Sequence, residues 1–150
     1  MTVRPAPADF CQAPREHASR SQARSDVLTR QPTIYVIDDD AAVRDSLRML
    51  LEAEGFLVVE FASGAEFLRA GRLDGSSCLL LDMHMPGLSG VELLERVRGD
   101  HPLTPVVVMT GRPGAAIAKA AASAGAPLLE KPFRGRELLD AIAGSLRRQR

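Results

Sequence analysis

The sequence predicts an α/β fold, a doubly wound parallel sheet of five strands, and three observations predict it. Short apolar runs without polar alternation recur along the chain (IYVI, CLLL, VVVM), the pattern of strands covered on both faces. Between them lie segments with apolar residues at helical spacing. The connections are short and built from Gly, Pro, Ser and Asp. Parallel neighbours need right-handed crossovers, and these lay helices on both faces of the sheet.

The first strand is Thr33 to Ile37, a β-branched apolar run. Ala41 to Glu54 follows as a helix with Val43, Leu47, Leu50 and Leu51 at helical spacing, closed by Gly55. Leu57 to Phe61 is the second strand, and Ser63-Gly64-Ala65-Glu66 is a capping box opening a short helix with Phe67 and Leu68 inward. Cys78 to Leu81 is the third strand, ending at Asp82. Met85-Pro86-Gly87 turns the chain, and Ser89-Gly90-Val91-Glu92 is a second capping box, with Leu88 and Leu93 as its hydrophobic staple. The helix it starts carries Val91, Leu94 and Val97 on one face. Pro105 to Met109 is the fourth strand, Pro113 to Ala124 an alanine-rich helix whose one large apolar residue is Ile117, Leu128 to Glu130 the fifth strand, and Glu137 to Arg148 the last helix.

Bulk properties bound the function. The chain has 150 residues, 45% of them hydrophobic, and its nineteen basic and nineteen acidic side chains cancel. That balance argues against nucleic-acid or membrane attraction through net charge. No apolar run reaches the ~18 residues of a membrane span, and the first residues lack the apolar stretch of a signal peptide, so the expected compartment is the cytoplasm. Cys11 and Cys78 fall in a polar segment and a buried strand, which excludes a disulfide framework. Residues 1–31 carry Pro5, Pro7 and Pro14, five Arg against three acids and little apolar periodicity. They read as a disordered extension, with a basic tether for an acidic partner, or a start site assigned too early, as the alternatives. Residues 32–150 form one domain, large enough to bury about two thirds of its unfolded surface.

Chemistry collects at the strand ends. The first strand runs into Asp38-Asp39-Asp40, the third into Asp82, the fourth into Thr110 and the fifth toward Lys131, all on one edge of the sheet. In open α/β sheets that edge forms the ligand crevice. Clustered carboxylates raise one another's pKa unless a cation sits among them, and hard oxygen ligands of this kind suit Mg²⁺. With the Lys131 cation and the Thr110 hydroxyl, the set describes a site for a phosphoryl group. Each piece also has a plainer account. Asp40 is best read as the cap of the first helix, Thr110 alone as a turn residue, and Lys131 alone as a surface lysine. His17, His84 and His101 lack ligand spacing and read as ordinary; His84 counts only through its backbone carbonyl.

The motifs IYVIDDD, LLLDMHMPGLSG, VVVMTG and EKPF, in this order and spacing, resemble the receiver domain of two-component response regulators over about Thr33 to Arg148. The resemblance implies a flavodoxin-like fold with Asp82 as phospho-acceptor, attacking the phosphorus of a kinase phosphohistidine. It implies Mg²⁺ held by Asp39 directly, by Asp38 through water, by Asp82, and by the His84 carbonyl. Thr110 corresponds to the switch hydroxyl and Lys131 to the phosphate-pairing lysine, followed by a cis proline at Pro132. Such a protein is no enzyme beyond self-phosphorylation and self-dephosphorylation. Its implied partners are a sensor histidine kinase or phosphotransfer protein and a downstream protein, with a homodimer as a further option and no direct DNA contact. Arg147, Arg148 and Arg150 read as cations matching the last helix's dipole.

Two features depart from the resemblance. The position three before the lysine, commonly aromatic in the family, is Leu128, and Gly125-Ala126-Pro127-Leu128 is one residue shorter than the common pattern. Both leave the phosphorylation chemistry in place and bear on the output face, where a leucine-based or weakened switch is expected. The chain is therefore read as a single-domain response regulator. The alternatives are a receiver-shaped binding module that ignores phosphorylation, and a phosphatase of the haloacid-dehalogenase type with Asp38-Asp39-Asp40 as its DxD.

Overall fold

The structure, a computed structural model, describes residues 31–148. The elements run β1 (Thr33–Ile37), α1 (Ala41–Ala53), β2 (Leu57–Phe61), α2 (Gly64–Ala70), β3 (Ser77–Asp82), α3 (Gly90–Asp100), β4 (Val106–Thr110), α4 (Ala115–Ser123), β5 (Leu128–Glu130) and α5 (Gly135–Arg148). The expected disordered extension, 1–31, falls on residues outside the described range apart from Gln31.

All strand pairs are parallel, in the order β2-β1-β3-β4-β5. The chain winds from β1 outward to β2, then crosses back to β3 and continues the other way. The crevice at the carboxyl ends of β1 and β3 is thus the topological switch point. Each buried strand divides its side chains between two cores. Tyr35, Ile37, Leu79, Leu81, Val106 and Val108 face the side that includes Phe67, Leu93, Leu94 and Ile117. Ile34, Val36, Cys78, Leu80, Val107 and Met109 face Leu47, Leu51, Leu138 and Ile142. This two-sided burial is the reason the strands read as unbroken apolar runs. Cys78 is fully buried, its thiol pushed up to about 12 by desolvation, so it packs as an apolar group.

The helix ends follow their sequence signals. Ser63 Oγ accepts from Glu66 N at 3.1 Å and Ser89 Oγ from Glu92 N at 3.2 Å, the serine half of each capping box. Gly55 N donates to Glu52 O at 3.0 Å and Phe56 N to Leu51 O at 3.0 Å, a Schellman closure of α1. Gly125 and Ala126 repeat it on α4, onto Ala122 O and Ala121 O at 3.1 and 2.9 Å.

Several boundaries differ from expectation by one or two residues, most tellingly in the second half of the chain. β4 begins at Val106, because Pro105 has no N–H for the ladder, and extends to Thr110, which pairs with Glu130. α4 begins at Ala115, since Gly114 at its N-cap makes no side-chain capping bond and Pro113 stays outside. α5 begins two residues early, at Gly135, with Glu137 in its first turn where the helix dipole favours an acid.

The segment after β3 is held by two glycines for different reasons. Gly87 has φ +78°, the left-handed conformation that a turn with Pro86 as its first central residue needs at the second. Gly90 starts α3 directly against the strand end: a Cβ there would sit 2.4 Å from Met83 Cα and 2.5 Å from Asp82 O. Leu88 and Leu93, the staple pair, converge on Gly64, within 3.1 and 3.3 Å of where its Cβ would lie. Gly90→Ala should therefore cost about 1–3 kcal/mol in urea unfolding, as overpacking against backbone does. Gly99→Ala, with nothing within 4 Å in the same helix, should gain up to about 1 kcal/mol. Equal effects of the two substitutions would contradict the close approach at Gly90.

Candidate functional site

β1 delivers Asp38 fully buried at its end, and β3 delivers Asp82 as its own last residue, registered opposite Met109 of β4. Oxygens of Asp38, Asp39 and Asp82 lie within 4.8 Å of one another. Asp39 is exposed, so the group opens to solvent on one side. Asp40 turns away and caps α1, accepting from Ala42 N at 2.9 Å and Val43 N at 3.4 Å.

The short β5 brings Lys131 across from the far side of the sheet, and the Lys131–Pro132 peptide bond is cis. Lys131 Nζ donates to Asp38 Oδ2 at 2.8 Å and stands 3.6 Å from Asp82 Oδ2. The lysine thus spends its short contact on Asp38. Asp38 Oδ1 also accepts from Asp40 N at 3.0 Å, so both its oxygens are engaged. Asp82 Oδ1 accepts one backbone bond, from His84 N at 3.2 Å.

The electrostatics follow from this unequal sharing. Burial, then the neighbouring Asp38 charge, push the Asp82 carboxyl above the ordinary carboxylate range, against the opposing pull of His84 N–H and Lys131. Burial draws Lys131 down, but its bond to Asp38 and the two carboxylate charges outweigh this and hold the ammonium above its usual value. The donors present are hard carboxylate oxygens carrying uncompensated negative charge beside open solvent, and that chemistry fits a small divalent cation.

Thr110 is fully buried at the end of β4 and does not bond Asp82. Its Oγ1 accepts from Arg112 N at 3.0 Å, lies 3.0 Å from Arg112 O, and lies 3.0 Å from His84 Nε2. The sequence reading treats the His84 ring as ordinary, and the structure corrects this. His84 follows Asp82 by two residues at a strand end, so it emerges on the same side of the chain and reaches the neighbouring strand's loop. That spacing was the available signal. Arg112, whose backbone completes the contact, carries none. A cleft of about 480 Å³ opens among Asp82, His84, Arg112 and Lys131. Leu128, at the position of the expected aromatic, is half-buried against the core on the Tyr35 side of the sheet.

The raised Asp82 carboxyl sets a stability prediction. The folded chain holds this proton to higher pH than the unfolded chain, so stability falls as pH rises from the ordinary carboxylate range through the folded-state titration. In EDTA, Asp82→Asn should be more stable than wild type to urea at pH 7, and the difference should close as pH falls toward 4. A pH-independent difference, or none, would contradict the assigned cause.

Residues 34–143 match the response regulator receiver domain family. The chain is 43% identical over 123 residues to the transcriptional regulatory protein FixJ of Bradyrhizobium diazoefficiens, an alignment spanning 80% of this chain and 59% of that protein. It is 44% identical over 118 residues to FixJ of Azorhizobium caulinodans, covering 77% and 55% of the two chains. This sequence therefore spans little more than half the length of the curated relatives it matches. Among solved structures, a CheY-like receiver domain protein from Methanospirillum hungatei superposes with TM-score 0.74 at 30% identity, covering 80% of this chain and 97% of that one. Full-length FixJ from B. japonicum superposes with TM-score 0.72 at 41% identity, covering 81% and 60%. The flavodoxin-like topology and the family match agree, and the haloacid-dehalogenase alternative is left without support. The chain belongs to the response regulator receiver family, the receiving half of two-component signalling.

Proposed function

We propose that Asp82 accepts a phosphoryl group from the phosphohistidine of a sensor kinase or phosphotransfer protein, and that the added charge changes what the receiver binds. The observation that carries this reading is the position of Asp82: a carboxylate at the switch-point edge, flanked by two further carboxylates and one lysine that is committed elsewhere. In the transfer, an Asp82 oxygen forms a bond to phosphorus as the phosphorus–nitrogen bond of the donor imidazole breaks, and the electron pair leaves with the imidazole. Phosphoryl transfer asks a protein mainly to position reactants and neutralise charge. His84 N–H fixes the Asp82 carboxylate through Oδ1. Lys131 stands 3.6 Å from Oδ2, near enough to pair with an incoming phosphoryl oxygen.

Receiver domains generally bind Mg²⁺ at an acidic pocket, and Asp38, Asp39, Asp82 and the carbonyl of His84 are the groups proposed to hold it here. When bound, the ion would supply positive charge beside the Asp82 carboxylate and would offset the charge of the phosphoryl oxygens. The donor approaches along the open strand edge. An apolar groove of about 600 Å³ beside Lys131, with Val43, Leu47, Leu50 and Phe133 in its walls, supports docking of a helix there. With net charge zero, the receiver is read as acting on a protein partner rather than on DNA, in the cytoplasm where kinase and ATP meet. The reading concerns the receiver and is the same whether its output lies in another protein or in a longer form of this chain.

Intact-mass measurement after incubation with acetyl phosphate and Mg²⁺ tests the proposal. Wild type should gain one phosphoryl group, Asp82→Asn none, and EDTA should suppress the gain. Labelling that persists in Asp82→Asn would move the acceptor elsewhere. No labelling of folded wild type would leave a binding module that ignores phosphorylation.

A further inference from the structure

The Thr110 hydroxyl has one proton and two lone pairs, and the structure offers partners for all three. Arg112 N–H donates to Oγ1, occupying one lone pair, and the hydroxyl proton points at Arg112 O, each at 3.0 Å. The remaining lone pair faces His84 Nε2 at 3.0 Å. The same nitrogen is 3.2 Å from Arg112 O. A bare ring nitrogen would set its lone pair against that carbonyl, so the geometry selects the tautomer with the proton on Nε2, donating to Thr110 Oγ1 and shared with Arg112 O. The hydroxyl is then saturated within its own turn, and nothing of it remains to meet an oxygen at Asp82.

We infer that the His84 imidazole is a latch that holds Thr110 in this resting turn, and that charge placed on Asp82 must draw the hydroxyl away from it. The residue joins the ends of two adjacent strands, 26 positions apart, and its backbone N–H already bonds Asp82 Oδ1. One residue therefore touches the acceptor through its main chain and the hydroxyl through its ring. When Thr110 turns toward an anion on Asp82, it gives up Arg112 O and the ring contact. His84 keeps only the Arg112 carbonyl, so its net effect favours the resting arrangement by one hydrogen bond. His84 is a positioning residue, acting on the phosphoryl group through Thr110. The inference rests on Asp82 as acceptor.

Threonine-methyl NMR tests it on the full chain, with Mg²⁺ and beryllofluoride as the phosphoryl mimic, for wild type, His84→Ala and His84→Gln. In His84→Ala without beryllofluoride, the Thr110 methyl resonance should move part of the way toward its beryllofluoride-bound position. Beryllofluoride should bind His84→Ala about fivefold more tightly than wild type, the equivalent of one ordinary hydrogen bond. His84→Gln, whose terminal N–H reaches as far as Nε2, should restore both wild-type values. An unmoved resonance, an unchanged or weaker affinity in His84→Ala, or failure of Gln to restore it would overturn the latch while leaving the acceptor reading intact. If wild type itself binds no beryllofluoride, the acceptor reading fails and the latch falls with it.

Discussion

One lysine stands between two carboxylates and is shared unequally: 2.8 Å from Asp38 and 3.6 Å from Asp82. The rest of the site follows from that asymmetry. Asp38 is fully buried and would be costly as an unpaired charge, so it takes the ion pair and a backbone N–H as well. Asp82 is left nearly as buried with less compensation, and its carboxyl is pushed upward in consequence. A carboxylate in that position gains from any added positive charge, and exposed Asp39 keeps the approach open. The lysine's closer bond to Asp38 thus leaves Asp82 the less compensated of the two buried carboxylates.

Holding this arrangement is the work of the sheet. Asp38 and Lys131 are 93 residues apart, and the all-parallel order β2-β1-β3-β4-β5 sets them at the same end of the sheet, where the lysine side chain reaches across to Asp38. Register matters as much as order. A slip of one residue in β3 would carry Asp82 to the other face and turn its apolar set inside out. The two-sided core forbids this, because Cys78 and Leu80 fit one layer while Leu79 and Leu81 fit the other. Beyond the strand end, Gly90 presses the start of α3 against Asp82 O and Met83, leaving Asp82 on a backbone with little room to shift.

Much of this was legible in the sequence, for physical reasons. Strands buried on both faces leave unbroken apolar runs, and serine caps and Gly55 leave local signals that do not depend on the fold, so most of the elements could be placed within a residue or two. The carboxylates and Lys131 were legible because each terminates such a run. The weaker placements came where local chemistry was ambiguous. Pro105 extends the apolar run of β4 although it cannot pair, and Gly114 offers α4 no capping side chain. The His84 ring was not legible as a contact because its partners, Thr110 at the end of β4 and Arg112 just beyond it, lie 26 and 28 residues away, and only the assembled register brings them beside it.

The central claim, that Asp82 is electrostatically underserved until a cation joins it, is tested most directly by ¹³C NMR of the Asp82 carboxyl, titrated with pH in EDTA and again in Mg²⁺. The account predicts a midpoint above the ordinary carboxylate range in EDTA, falling when Mg²⁺ is added. An ordinary midpoint in EDTA, or one that Mg²⁺ does not move, would contradict it.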